Sequence, residues 1–270
     1  MKISLGFSTC PNDTFMFDAM VHGKVDTEGL EFEVVMQDIL HLNRKAIQEE
    51  LDVIKVSYNA FGHVRDQYQL LRSGSAMGKG CGPLLISKEP LNIEELRSRE
   101  PSIAIPGVNT TANLLMSFFA PDLIRREEML FHEVMAAVAM GENDAGVIIH
   151  ENRFTYQERG LHCVQDLGAY WEEETGLPIP LGAICARKGL DKETIAKVDR
   201  VLRRSIEFAF ADPDSSKPFV KLYAQELSED VIKAHIELYV NEFSVDMGEQ
   251  GEAAVARLLE VGSSMGLYDK

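Results

Sequence analysis

Residues 83–87 (PLLIS) and 180–186 (PLGAICA) decide the organisation of this chain. Each segment is short, apolar and opened by proline, and neither fits the alternation of strands and helices around it. We predict that both are strands that cross between two lobes. Residues 1–87 and 185–270 then form lobe I, and residues 88–184 are inserted as lobe II.

On both sides of these segments, short apolar runs alternate with segments of helical period, which is the pattern of βα units. Strands are predicted at residues 3–7, 30–36, 53–56, 102–105, 128–131 and 145–149. Helices are predicted between them at residues 13–21, 39–49, 93–97, 111–119 and 133–140. After Lys188 the pattern is almost entirely helical, at residues 192–211, 216–224, 229–240 and 249–265, with apolar stripes that suit packing on lobe I.

This pattern predicts an α/β protein with two lobes and a ligand cleft between them, the plan of the type II periplasmic-binding-protein fold. The length of 270 residues is sufficient for a sizeable core. No secretory signal and no run of about 18 apolar residues is visible, so we expect a cytoplasmic protein without a membrane partner.

Composition narrows the partners further. The net charge is −16 and the basic residues form no stripe, which disfavours nucleic acid. The four cysteines lie far apart without a CxxC pair, which disfavours a disulfide framework or a metal site. An anionic substrate would therefore depend on local donors, because the field of the whole chain repels it.

Two candidate ligand segments follow predicted strands of lobe I, where strand ends meet helix starts. In residues 8–14 (STCPNDT), Asn12 is a candidate substrate-binding residue, although Asn12 or Asp13 capping the next helix explains the pattern equally well. In residues 55–59 (KVSYN), Lys55 offers positive charge at a strand end. The alternative is a lysine that extends to solvent, with Ser57 as a helix cap.

The third candidate segment is residues 105–112 (IPGVNTTA), where Thr110 and Thr111 open an amphipathic helix. Their hydroxyls and the first-turn N–H groups predict a site for a carboxylate made of neutral donors, while simple capping requires only one threonine. The glycine-rich residues 78–83 lack the spacing of a phosphate loop and are interpreted as flexible backbone.

The fourth candidate segment is residues 144–151 (DAGVIIHE), an apolar strand whose first polar residue at the carboxyl end is His150. A general base would face a cleft from this position, whereas a hydrogen-bonded structural histidine is the alternative. Histidines on or beside predicted helices have weaker claims, at positions 22, 41, 132 and 235. Cys10 and Cys81 show no activating partner, so nucleophilic catalysis is disfavoured.

Six stretches resemble the 1,4-dihydroxy-6-naphthoate synthase family of menaquinone biosynthesis, namely residues 8–19 (STCPNDTFMFDA), 55–61 (KVSYNAF), 80–85 (GCGPLL), 106–115 (PGVNTTANLL), 146–156 (GVIIHENRFTY) and 166–182 (DLGAYWEEETGLPIPLG). The resemblance implies a periplasmic-binding-protein fold recruited as a carbon–carbon lyase that acts on cyclic dehypoxanthinyl futalosine, a small-molecule carboxylate.

By position, the resemblance implies that His150 is the proton acceptor. It implies substrate binding by Lys55, Val56 and Ser57 and by the Thr110–Thr111 pair. Gain of aromaticity in the product would drive the reaction, so no cofactor is expected. Two alternatives stay open: chorismate dehydratase of the same pathway, and a non-catalytic protein that binds a carboxylate.

Overall fold

The computed structural model describes residues 1–224 and 228–268. In chain order the elements are β1 (Lys2–Phe7), α1 (Pro11–Val21), β2 (Glu31–Met36), α2 (Ile39–Ile47), β3 (Val53–Ser57), α3 (Tyr58–Val64), β4 (Tyr68–Leu70), β5 (Ala76–Gly78), β6 (Leu84–Ser87), α4 (Ile93–Arg97), β7 (Ile103–Ile105), α5 (Thr111–Phe119), β8 (Arg126–Glu128), α6 (Phe131–Met140), β9 (Ala145–Ile148), α7 (Asn152–Thr155), β10 (His162–Asp166), α8 (Leu167–Thr175), β11 (Ile179–Arg187), α9 (Lys192–Ala211), α10 (Pro213–Tyr223), α11 (Glu229–Tyr239), α12 (Glu242–Val245) and α13 (Gly248–Ser264). A short 3-10 helix at Tyr156–Arg159 follows α7.

The chain divides into two compact units. The first unit comprises Met1–Gly78 and Pro180–Lys270, and the second is Lys79–Ile179. Each unit has one mixed sheet. Within the described residues, no helix combines the length and the apolar character needed to cross a membrane.

The sheet of the first unit has the strand order β2-β1-β3-β11-β4, with β5 paired to β11. Strands β1, β2 and β3 are parallel, so their carboxyl ends share one edge of the sheet. The long strand β11 lies between β3 and β4 and runs antiparallel to both.

Two apolar layers cover this sheet. One layer joins β1 to α1 and α9, with residues such as Leu5, Phe17 and Leu202 wholly buried. The other joins β3 to α2 and α3 through Ile54, Val56 and neighbours. Strands β1 and β3 are therefore buried on both faces along most of their length, whereas the edge strand β2 is partly exposed.

The start of β1 is fixed by a polar contact between Asp52 and Ser4. The Asp52 carboxylate accepts hydrogen bonds from the Ser4 backbone N–H at 3.0 Å and from its hydroxyl at 2.8 Å, and it pairs with Arg187. Burial opposes ionisation, but these hydrogen bonds and the guanidinium outweigh it and lower the pKa of Asp52.

The sheet of the second unit has the order β10-β6-β9-β7-β8. Strands β7, β8 and β9 are parallel, whereas β6 is antiparallel to β9 and to β10. The carboxyl ends of β7, β9 and β10 and the amino end of β6 therefore lie along one edge.

Most predicted elements are confirmed within a few residues, including the two proline-led strands and the helical region after Lys188. The strand predicted at 128–131 is wrong, because β8 ends at Glu128 and Phe131 begins α6. The Glu133 carboxylate accepts a hydrogen bond from the Leu130 N–H at 3.1 Å, which commits this apolar run to a helix start.

Candidate functional site

A buried ion pair lies at the carboxyl ends of β1 and β3 in the first unit. Asp13, in the first turn of α1, places Oδ1 2.5 Å from Nζ of Lys55. Their side chains are 0% and 5% exposed, so both charges depend on each other and on local hydrogen bonds. The alternative of a lysine extending to solvent is wrong, and the net charge that Lys55 contributes is cancelled by Asp13.

The Asp13 carboxylate is the centre of a larger network. It accepts hydrogen bonds from the Ser8 N–H at 2.9 Å, from the Ser8 hydroxyl at 2.6 Å and from Asn12 Nδ2 at 3.0 Å. Oδ1 of Asn12 lies 3.0 Å from Nε2 of His235, on α11. The network thus joins α1, β3 and the helical region at the end of the chain.

The capping interpretation of Asn12 and Asp13 is wrong. Helix α1 begins at Pro11, and its N-cap, Cys10, makes no side-chain capping bond. Proline suits this first position because it has no N–H to leave unpaired. The side chains of Asn12 and Asp13 are therefore committed to the buried network.

Ser57 and Val56 have different environments. Ser57 and Asn43 form two hydrogen bonds: the Ser57 N–H donates to Asn43 Oδ1 at 2.9 Å, and Asn43 Nδ2 donates to the Ser57 hydroxyl at 3.1 Å. Ser57 precedes α3 but makes no side-chain cap. The Val56 side chain is fully buried in the core, so only its backbone is left for ligand contact.

In the second unit, the start of α5 follows the carboxyl end of β7. The Thr110 hydroxyl accepts from the Asn113 N–H at 3.2 Å and donates to the Gly107 carbonyl at 2.7 Å. Thr110 is the N-cap and Thr111 is the first helical residue, each 2% exposed. Thr110 is therefore the cap, and Thr111, which capping does not require, lies beside the first-turn N–H groups of a nine-residue helix.

His150 follows β9, the strand that pairs in parallel with β7. It therefore lies at the sheet edge from which α5 starts. Strand β9 ends at Ile148, and His150 lies in a turn before α7 with a φ of 57°. Its ring centroid is 5.0 Å from that of Phe131, and the residue is partly buried. A left-handed conformation costs a residue with a Cβ about 1–2 kcal/mol, and such residues concentrate at functional sites.

Two glycines bring backbone segments together at the same edge. A Cβ on Gly82 would lie 2.3 Å from the Cα of Gly168, and the reverse substitution would give 2.6 Å. Arg153 donates to the Gly82 carbonyl and contacts Asp166 at 3.4 Å. Residues 78–83 were interpreted as flexible backbone, but in the structure Gly82 within this segment is packed tightly against the start of α8.

Three of the four cysteines, Cys81, Cys163 and Cys185, have pKa values raised by burial, which disfavours them as nucleophiles. Burial raises the pKa of Cys81 to about 12, and burial also raises the pKa of Cys185. A thiolate would be needed for attack, and a raised pKa suppresses it. All four cysteines are free thiols.

Three residues of the network in the first unit were not among the predicted site residues, namely Ser8, Asp13 and His235, and neither was Asn43, the partner of Ser57. Asp13 was considered only as a cap, although an acidic residue six positions beyond a strand is a reasonable partner for Lys55. His235 gave no usable signal. It lies within an amphipathic helix and is 223 residues from Asn12.

The architecture defines a class of protein. A Candida albicans gene product, described as having the generic periplasmic-binding-protein fold, aligns over 98% of this chain and 90% of its own with a TM-score of 0.71 and 11% identity. The periplasmic aliphatic sulphonate binding protein of Escherichia coli aligns over 100% and 89% with a TM-score of 0.68 and 10% identity. The predicted fold class, an α/β periplasmic-binding-protein-like fold, is confirmed.

Closer relatives show the family. A family model described as menaquinone biosynthesis matches residues 3–264, so the chain belongs to that family. Two relatives named 1,4-dihydroxy-6-naphtoate synthase are similar over nearly the whole chain. The Thermus thermophilus protein is 48% identical, covering 98% of this chain and 95% of its own, and the Streptomyces coelicolor protein is 44% identical, covering 98% and 94%.

A crystal structure of an Archaeoglobus fulgidus protein is also similar. It has 38% identity and a TM-score of 0.92, with 98% of both chains covered.

Proposed function

We propose that this protein is a carbon–carbon lyase that converts cyclic dehypoxanthinyl futalosine to 1,4-dihydroxy-6-naphthoate in menaquinone biosynthesis. The observation that carries the proposal is the near full-length similarity to two relatives that both bear the name of this synthase. The earlier alternatives, a dehydratase or a passive binding protein, have no comparable support.

His150 is the proposed proton acceptor. A neutral imidazole can remove a carbon-bound proton near neutral pH if nearby donors stabilise the negative charge that develops. Its position after β9, at the edge where α5 starts, and its left-handed backbone support this role. Gain of aromaticity in the product supplies driving force, so the proposed reaction requires neither a metal nor an organic cofactor.

Thr110 and Thr111 are proposed to bind the substrate carboxylate. The start of α5 offers backbone N–H groups and the positive end of the helix dipole, which favour an anion without burying a second full charge. This suits the chain, because the charge of Lys55 is already balanced by Asp13.

Asn12, Lys55 and Ser57 are proposed to bind substrate through polar groups of the first unit, with Val56 contributing backbone only. Asp13 fixes the Lys55 ammonium, and Asn43 fixes Ser57. Each proposed ligand group is therefore held by a buried partner, which limits the entropy lost on binding.

The proposed location is the cytoplasm, and the proposed partner is a small-molecule carboxylate. Four free thiols suit a reducing compartment.

The decisive experiment is His150→Asn, assayed for 1,4-dihydroxy-6-naphthoate formation, substrate affinity and melting temperature on one preparation. Asparagine keeps a similar size and can adopt the left-handed conformation, but it cannot take up a proton near pH 7. We expect turnover to fall by about 10²–10⁴-fold with a nearly unchanged melting temperature.

A lower melting temperature with near-normal turnover in the folded fraction would show that His150 is structural. A wild-type protein that forms no product from this substrate would refute the lyase function itself. Chorismate supplied as a second substrate tests the dehydratase alternative on the same preparation.

A further inference from the structure

His235 is buried in the first unit although the proposed chemistry does not use it. Its exposed fraction is 0%, and its ring packs against Tyr239 with centroids 4.7 Å apart. Nε2 of the imidazole points to the Asn12 amide oxygen at 3.0 Å. A buried hydrogen-bond network of this kind stabilises one side-chain arrangement only when each donor faces an acceptor.

The direction of each hydrogen bond follows from Asp13. Its carboxylate, paired with Lys55, accepts hydrogen bonds and donates none. The Asn12 group that faces it at 3.0 Å must therefore be the NH₂. The Asn12 carbonyl oxygen then faces His235, so Nε2 of His235 carries a hydrogen.

This assignment determines what Asn12 offers to a ligand. One amide hydrogen is committed to Asp13, and the carbonyl oxygen is committed to His235. The second amide hydrogen has no acceptor among the described residues, 1–224 and 228–268. Asn12 therefore presents an N–H donor, which suits a carboxylate or carbonyl oxygen.

We propose that His235 is a positioning residue that holds the Asn12 amide with its N–H toward substrate oxygen. This inference rests on the proposed function and deepens it at the same site. Without the Nε2 donor, the carbonyl oxygen of Asn12 loses its buried partner. Asp13 still holds one amide hydrogen, but the amide is no longer fixed at its oxygen, so the second N–H is less well directed at substrate oxygen.

Two substitutions at position 235 distinguish the loss of the hydrogen bond to Asn12 from the loss of the imidazole ring itself. In His235→Gln the side-chain nitrogen is three bonds from Cβ, as Nε2 of histidine is, so it still reaches Asn12. In His235→Asn the nitrogen is only two bonds from Cβ and cannot reach. We expect His235→Asn to raise KM about tenfold with kcat within about twofold of wild type, and His235→Gln to restore KM to within about twofold.

A double-mutant cycle tests whether His235 acts through Asn12. Asn12→Ala alone is expected to raise KM about tenfold, and adding His235→Asn is expected to change it no further. Val198→Ala, in the buried stripe of α9, is the control for lost stability, because it lowers the melting temperature at a site without a polar role.

The inference is overturned if His235→Asn has wild-type KM, if the glutamine variant is as impaired as the asparagine variant, or if the two losses multiply to about a hundredfold. A raised KM in Val198→Ala would also overturn it, since stability alone would then explain the effect. A wild-type enzyme without turnover would refute the proposed function together with this inference. If the wild-type enzyme turns over substrate but the KM does not change in His235→Asn, the inference alone is refuted.

Discussion

Replacement of Asp13 by asparagine should strongly destabilise the fold. The substitution keeps the shape of the side chain but removes the charge that balances Lys55, whose side chain is 5% exposed and whose Nζ lies 2.5 Å away. It also puts an NH₂ group where the carboxylate accepts four hydrogen bonds, from Ser8 twice, from Asn12 and from Lys55. In either orientation of the new amide, its NH₂ group faces one or more of these hydrogen-bond donors instead of an acceptor.

The expected loss follows from this geometry. Removing one partner of a buried ion pair costs about 3–5 kcal/mol. At about 2 °C per kcal/mol for a chain of this size, the melting temperature should fall by about 6–10 °C. Urea unfolding and a thermal melt of wild type and Asp13→Asn at pH 7 measure both quantities.

A matched control is available on the surface of the same unit. Asp214 pairs with Lys217 at 2.7 Å, but their side chains are 80% and 60% exposed. Asp214→Asn should therefore cost less than about 1 kcal/mol. An Asp13→Asn loss no larger than that of the control would refute the claim that the Asp13–Lys55 pair is buried and mutually dependent.

Three further substitutions have defined outcomes. Thr111→Val should raise KM about tenfold to a hundredfold with little change in melting temperature, because a hydrogen bond to a charged ligand contributes about 1.5–3 kcal/mol; an unchanged KM would exclude this residue from the carboxylate site. Hydrogen bonds lower the pKa of Asp52 in spite of its burial, so the ionised carboxylate stabilises the fold above the unfolded pKa of about 3.9, and this stabilisation is lost as pH falls below that value. The difference in free energy of unfolding between wild type and Asp52→Asn should therefore become smaller from pH 7 to pH 3. A constant difference would contradict this. Gly82→Ala places a Cβ 2.3 Å from the Cα of Gly168 and should cost at least about 1–3 kcal/mol, whereas Gly189→Ala, with no contact closer than 4.0 Å, should be nearly neutral by thermal melt.

The positions of most helices and strands were predictable because their signals are local. Helices α4, α5 and α9 have the predicted bounds, because the residues that form the periodic apolar face and the cap of each helix lie within or next to that helix in the sequence. The strand predicted at 128–131 failed for a local reason as well. An apolar run of this length suits a strand or a helix start, and the Glu133 cap decides for the helix.

The candidate site was predictable only in part. A search at and beyond the carboxyl ends of predicted strands found Asn12, Lys55, Thr110 and His150, because strand ends are recognisable from the sequence. Their roles at these positions stay predictions.

Most elements, the fold class and the family resemblance could be recognised in the sequence alone, because periodicity and motifs extend over a few neighbouring residues. Only the tertiary structure decided the partners. Lys55 meets Asp13 across 42 residues of chain, and Asn12 meets His235 across 223. Such contacts depend on how separate elements pack. His235 is an ordinary residue of an amphipathic helix in the sequence, but in the buried interior its imidazole is the hydrogen-bond partner of the Asn12 amide oxygen.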